Sequence, residues 1–270
     1  MIKPGFSVAV NKLSTSLDAG ELAAISRSSI QILELQARML DDDPQGTKKA
    51  ALQHMARGKG PRVNSLHAGD RDISAIDEAA RRLAVEETLQ GIALAHELGA
   101  SLIVIHPSDE PVKPEYRSGR LVQAGRSLVE VADAARRNGI KLAVEMLPRT
   151  CLCNTAEELE RLVAPLPRDV FGVCIDTNHL MSNYRNLCDT IIRFQDRLLE
   201  VHCSDYDGID EKHAMPGTGV VDWPGVMQTL RRIGFSGPLN YEVVFRTSPP
   251  LAERIRSLEE NFDWLSNLTK

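Results

Sequence analysis

Aromatic side chains are scarce in this chain: two Trp, four Tyr and six Phe make up 4% of its 270 residues. A surface that stacks bases or drives wedges into a DNA groove needs such side chains beside basic ones. The basic cluster in "MARGKGPRV", Arg57, Lys59 and Arg62, contains none. Excess positive charge is also lacking. Thirty-two Lys and Arg stand against 37 Asp and Glu, a net charge of −5, so nothing draws the whole chain to nucleic acid or anionic lipid. No apolar run approaches the roughly 20 residues that span a bilayer, and the apolar part of "MIKPGFSVAV" is too short for a signal peptide. Cysteines are few, odd in number and scattered: Cys151, Cys153, Cys174, Cys188 and Cys203. They form no disulfide framework, which points to a reducing, cytoplasmic setting. Cys151 and Cys153 lack the second pair that a structural zinc site needs. The first strand-like run leads into "NKLSTSLDAG", without the glycine-rich turn of a dinucleotide-binding fold.

What the chain does have is alternation. Eight short apolar runs read as strands buried on both faces: "FSVAV" (6–10), "IQILELQ" (30–36), "RVNSLHA" (62–68), "SLIVIHP" (101–107), "KLAVEML" (141–147), "FGVCID" (171–176), "LLEVHCSD" (198–205) and "PLNYEVV" (238–244). Helical patterns lie between them. Residues 77–100 place Ala80, Leu83, Ala84 and Thr88 at helical spacing and stop at Gly99, and 121–140 stops at Asn138-Gly139. Residues 154–166 open on Asn154 as an N-cap with Glu157 three residues on, and 222–237 on Asp222 with Pro224 in the first turn and Gly234 at the close. No linker divides residues 1–270, and the acidic "LDDDPQG" (40–46) reads as a solvated loop. The expected fold is one α/β domain, a (β/α)8 TIM barrel with its site at the C-terminal face of the strands. A doubly wound open sheet is the alternative.

The polar residues fall in a pattern. Of seven histidines, only His54 and His96 lie on helical stretches. His67, His106, His179, His202 and His213 lie at or just beyond the carboxyl ends of proposed strands, as do Glu145, Asp176 and Glu242. In a barrel those ends converge on one mouth. Imidazoles and carboxylates packed there are costly unless paired or bound to a cation, and both are good ligands for divalent metals. Each residue alone has an ordinary reading, such as a hydrogen-bonded core histidine or a glutamate paired with Arg149 or Arg246; co-location is what argues for a site. In "DEKHAMPGTGVVDW" (210–223) a Pro-Gly turn follows Lys212 and His213, which are placed to reach over the mouth toward an anionic or hydroxylated ligand.

These segments, in this order, resemble the xylose isomerase-like TIM-barrel superfamily: "SLHAGDRDIS", "LIVIHPS", "AVEMLPR", "CIDTNHL", "EVHCSD", "HAMPGTGVVDW" and "NYEVVF". That superfamily includes sugar and sugar-phosphate isomerases and epimerases, inosose dehydratases and endonuclease IV. The resemblance implies that Glu145, Asp176, His202 and Glu242 hold one divalent cation (manganese, magnesium, cobalt or zinc). It implies further that Glu145 and Glu242 form the acid/base pair acting through a metal-stabilised enediolate. His67, His106, His179, Lys212 and His213 are then expected to face a small sugar or sugar phosphate. Several epimerases carry Arg at the position of His213. The endonuclease IV pattern instead implies up to three zinc ions, on the same residues together with the triplet Glu211-Lys212-His213. That family has Asp-Arg-His there, so a carboxylate is kept while the first two residue types differ. The shortage of aromatics makes nucleic acid the weaker expectation. A dehydratase is a close variant of the sugar reading, and a homo-oligomer is compatible with all of them.

Overall fold

The computed structural model describes residues 4–268 apart from 15, 59, 68 and 70. All eight apolar runs form strands: β1 (Gly5–Ala9), β2 (Ile32–Gln36), β3 (Arg62–His67), β4 (Leu102–Ile105), β5 (Lys141–Met146), β6 (Phe171–Asp176), β7 (Leu198–Cys203) and β8 (Pro238–Tyr241). Every neighbouring pair is parallel, and β8 pairs with β1, so the sheet closes into a (β/α)8 barrel rather than an open doubly wound sheet. Closure explains why the strands read as continuous apolar runs: one face packs on helices and the other fills the interior.

The helices are α1 (Val10–Leu13), α2 (Ala19–Ser26), α3 (Thr47–Arg57), α4 (Glu78–Leu98), α5 (Pro114–Asn138), α6 (Ala156–Val163), α7 (Leu187–Arg193), α8 (Trp223–Arg232) and α9 (Leu251–Asn267). Their ends follow local chemistry. Asp77 caps α4 by accepting from Ala80 N, and Gly99 closes it at φ +72°. Gly139 ends α5 in the same way, and Asp222 accepts from Gly225 N to start α8. Three expectations shift. Helix α5 begins at Pro114, not 121, because proline is well placed in a first turn. The cap of α6 is Thr155, not Asn154; its hydroxyl accepts from Glu158 N. In α4, Ala84 and Thr88 are buried, but Ala80 and Leu83 face solvent. The buried stripe is turned to include Arg81, whose guanidinium reaches Glu78, Glu130 and Ser127 between α4 and α5.

The main apolar core lies between the sheet and the helices. A second, small cluster of Leu102, Val104, Ala143 and Cys174 is separate from it. All five cysteines are free thiols. Among the described residues no helix is long and apolar enough to cross a membrane.

Candidate active site and metal centre

Strand register assembles the site. Asp176 on β6 pairs with His202 on β7, His202 with Asn240 on β8, and Asn240 with Ser7 on β1. Side chains at matched positions of a parallel sheet point the same way. Asp176 and His202 therefore face one mouth. Glu145 reaches it from β5, and Glu242 from the first residue past β8. A donor atom from each of Glu145, Asp176, His202 and Glu242 lies within 4.8 Å of the others, and all four residues are buried.

The hydrogen bonding at this point is incomplete. Both carboxylate oxygens of Glu145, Oδ2 of Asp176 and Nδ1 of His202 are buried with no hydrogen-bond partner. Imidazole nitrogens surround Glu145: His67 Nε2 at 3.4 Å, His106 Nε2 at 3.0 Å, His179 Nδ1 at 3.5 Å and His202 Nδ1 at 3.2 Å. These contacts supply charge without the angles of true hydrogen bonds. His202 Nδ1 is also 3.2 Å from Glu242 Oε2. Orphaned atoms on three residues whose donor atoms lie within 4.8 Å of one another, all of oxygen or imidazole type, are what a divalent cation would satisfy. The residues present thus fit such an ion.

Imidazoles and carboxylates shift one another's proton affinity here. Burial opposes charge on His67, but the carboxylates of Glu145, Glu34 and Glu242 outweigh it and raise the imidazole to about 9. Burial likewise opposes charge on His179, and Asp176 and Glu211 raise it to about 10. Burial would lift Glu145 and Glu242, yet the neighbouring imidazoles hold both well below the usual carboxylate range. Asp176 goes the other way: its burial prevails over His179 and His213, and the acid is raised.

Two further groups ring the centre. His67, His106 and Glu145 form one set of possible ligands, and Asp176, His179 and His213 another. His179 directs Nδ1 to Met146 O at 2.9 Å, leaving Nε2 toward Asp176 and Glu211. His213 sits at φ +46°, a left-handed conformation uncommon for a residue with a side chain. Val244 N donates to its carbonyl, and its own Nδ1 contacts Glu242 O at 3.0 Å. A cavity of about 290 Å³ opens above, lined by Lys12, Gln36, His67, His106, Glu145, His179, Glu211, His213 and Glu242 among others.

The structure thus gathers eight of the nine residues singled out in the sequence. The ninth, Lys212, is placed elsewhere: its side chain is exposed and its Nζ lies 3.7 Å from Asp210. Glu211 takes the inward position instead, 2.7 Å from His213 Nε2 and 2.7 Å from Arg149 Nη1. The basic cluster is remote. Arg57 ends α3 and Arg62 opens β3, five strand steps or roughly 16 Å from His67 at the other end; Lys59 lies outside the described residues. Sequence reasoning missed Lys12, Gln36, and the buried Glu34 and Glu200 beneath the mouth; Glu211 entered it only through the endonuclease IV triplet. Glu34 and Glu200 carried a readable signal, an acid inside an apolar strand in "ILELQ" and "LLEVHC".

Fold and site together define a closed parallel (β/α)8 barrel with a carboxylate–imidazole centre at the carboxyl ends of its strands. The family model for the xylose isomerase-like TIM barrel matches residues 22–268. The chain belongs to that family. It is 28% identical over 185 residues to an uncharacterised protein of Methanocaldococcus jannaschii, an alignment covering 66% of this chain and 63% of that protein. It is 27% identical over 206 residues to a ketose 3-epimerase of Arthrobacter globiformis, covering 74% of this chain and 68% of the epimerase. The chain thus spans about two thirds of these relatives' length. Among solved structures, the IolI protein with a bound zinc atom superposes with a TM-score of 0.86 at 17% identity, covering 98% of this chain and 99% of that one. At that identity the likeness is one of fold.

Proposed function

We propose that this protein is a divalent-cation-dependent isomerase or epimerase of a sugar or sugar phosphate. The observation that carries the reading is the set of orphaned, buried donor atoms on Glu145, Asp176 and His202, with Glu242 in reach. Those four residues would hold the cation. When bound, it supplies the positive charge that polarises a substrate carbonyl. The kinship with a ketose 3-epimerase supports a sugar as substrate.

The chain's own part is proton movement and positioning. Glu145 and Glu242 come from β5 and from the end of β8. One carboxylate takes the proton from the carbon beside the carbonyl. The other returns a proton to the same carbon from the opposite side, inverting it, or to the neighbouring carbon, exchanging aldose and ketose. General acid–base catalysis of this kind contributes about 10²–10⁴-fold. Lys12 Nζ, 3.3 Å from Glu242 Oε1, keeps that carboxylate charged and turned inward. Gln36, His179 and His213 line the cavity and offer hydrogen bonds to hydroxyls. The test is turnover of a pool of sugars and sugar phosphates in heavy water, read by mass spectrometry. Deuterium uptake at one carbon is expected; loss of water would mark a dehydratase, and no exchange in any sugar would refute the reading.

The two outer ligand groups favour a second reading, a three-metal phosphodiesterase of the endonuclease IV kind. The distance of Arg57 and Arg62 from the mouth argues against it, as does a cavity lining with no Phe, Tyr or Trp among the described residues. Metal content decides the number of ions, and incubation with abasic-site DNA decides the activity.

A further inference from the structure

The interior of a TIM barrel is normally filled by branched apolar side chains. Beneath the mouth of this one, Ser7, Glu34, Ser65, Glu200 and Asn240 are fully buried instead. Three of them form a relay that ends on a proposed metal ligand. Ser7 Oγ donates to Asn240 Oδ1 at 2.9 Å. Asn240 Nδ2 donates to Glu34 Oε1 at 2.8 Å. Glu34 Oε2 lies 3.2 Å from His202 Nε2. The four residues come from β1, β8, β2 and β7, so the relay crosses the barrel. The register between β2 and β3 shifts between Leu33 and Glu34, a local irregularity of the kind that re-aims a side chain.

One order of donors and acceptors satisfies every member of the relay. The Ser7 hydroxyl occupies the Asn240 oxygen, so the Asn240 amide turns its NH2 to Glu34. A carboxylate can accept on both oxygens, and an amide cannot. Glu34 therefore accepts from Asn240 on one side and from an N–H at His202 Nε2 on the other. With Nε2 committed as the donor, Nδ1 is the nitrogen left to give up its proton. That is the same Nδ1 that has no partner and sits 3.2 Å from both Glu145 Oε1 and Glu242 Oε2.

We propose that Glu34 is a positioning residue: the Ser7–Asn240–Glu34 relay fixes the ring and tautomer of His202 so that Nδ1 is presented, bare, to the cation. The inference rests on the metal reading above. Carboxylates that hold the far nitrogen of a ligating histidine commonly govern metal affinity by about 10–100-fold.

The test exchanges amide and carboxylate and reads zinc affinity by competition with a chelating dye. In Glu34→Gln the new amide must turn an NH2 either on the Asn240 NH2 or on His202 Nε2; the second choice puts the proton on Nδ1. Affinity is expected to fall about 10–100-fold. Asn240→Asp sets two carboxylates against each other and should weaken binding similarly. The double variant Glu34→Gln with Asn240→Asp restores the donor order. The amide then at position 34 donates to the carboxylate at position 240 and accepts from His202; affinity is expected to return to within about threefold of wild type. A second readout is the Nε2–H proton of His202 in the zinc-loaded protein, a downfield NMR resonance that Glu34→Gln should shift and the double variant should bring back. A role limited to packing moves neither in this crossed pattern. Unchanged affinity in Glu34→Gln, or a double variant no better than the singles, would overturn the proposal. Should Glu34→Gln fail to fold, Ser7→Ala frees the Asn240 amide without adding a polar group; it should weaken zinc binding several-fold, and unchanged binding counts against the relay. Zinc binding by the wild type separates the two claims: its absence defeats the metal reading itself, whereas wild-type binding with an indifferent Glu34→Gln defeats only this inference.

Discussion

Asp176 and Asp205 sit at the ends of adjacent strands, β6 and β7, and both are fully buried. Every oxygen of Asp205 is occupied: Oδ1 accepts from Val221 N, and Oδ2 from Gly217 N and Trp223 Nε1. It anchors the loop that carries His213, and the packing is tight enough that a Cβ on Gly219 would come within 2.1 Å of Tyr206 O. Asp176 accepts one bond at Oδ1, from Asn178 N, and its Oδ2 makes no hydrogen bond, with His179 Nε2 3.5 Å away. Arg81 repeats the lesson away from the mouth. It is 1% exposed, yet Glu78, Glu130 and Ser127 satisfy it. Burial of a charged group thus does not mark a site. Several buried, unanswered atoms that face one another do, whereas a lone one such as Arg254 Nε on α9 does not.

The largest expected effect falls on the reacting carboxylates. Glu242→Gln should reduce solvent deuterium exchange into substrate by about 10²–10⁴-fold; exchange at the wild-type rate would remove Glu242 from acid–base chemistry. Next, the two aspartates should separate. Asp205→Ala leaves three donors without an acceptor and should cost about 3 kcal/mol or more in urea unfolding, with zinc affinity of the folded protein little changed. Asp176→Ala should cost the metal-free protein far less while weakening zinc binding by about 100-fold or more; equal losses in both assays would collapse the distinction.

The imidazoles give a pH signature. His67 and His179 are raised from 6.5 to about 9 and about 10 in the fold. A group that binds its proton more tightly when folded stabilises fully below its unfolded pKa and loses that contribution as pH rises through the folded one. The metal-free protein should therefore lose melting temperature between about pH 6.5 and 10. Zinc affinity should rise over the same window, since positive charge on imidazoles beside Glu145 opposes a cation there. A flat profile for both would contradict the protonated cup. The smallest effect belongs to Lys212, which is exposed and beside Asp210. Lys212→Ala should change stability by less than about 0.5 kcal/mol and leave substrate KM unaltered.

The barrel was legible because strands covered on both faces carry no alternation, and all eight stood out as apolar runs. Glu145, Asp176, His202 and Glu242 were legible because they break those runs at their carboxyl ends. Glu34 breaks its run as visibly, but it is the third of five residues in β2, and depth within a barrel depends on stagger that one sequence does not display. Lys12 escaped notice because the chain turns from β1 straight into the four-residue helix α1, which carries it to the cavity. The choice between Lys212 and Glu211 was not legible because both lie in a loop without regular periodicity, next to His213, whose left-handed backbone a non-glycine residue gives no reason to expect. The face of α4 was misjudged at Leu83 because its buried stripe runs through Ala84, Val85, Thr88, Ile92, Ala95 and Leu98, and the position that continues it toward the N-terminus is Arg81, paired with Glu78 and Glu130, rather than an apolar residue.

Anomalous diffraction from crystals grown with zinc tests the central claim most directly. The account predicts a peak bound by Glu145, Asp176, His202 through Nδ1, and Glu242, with ligand distances of roughly 2.0–2.2 Å. Zinc bound elsewhere, with those four side chains still facing one another and empty between them, would contradict it.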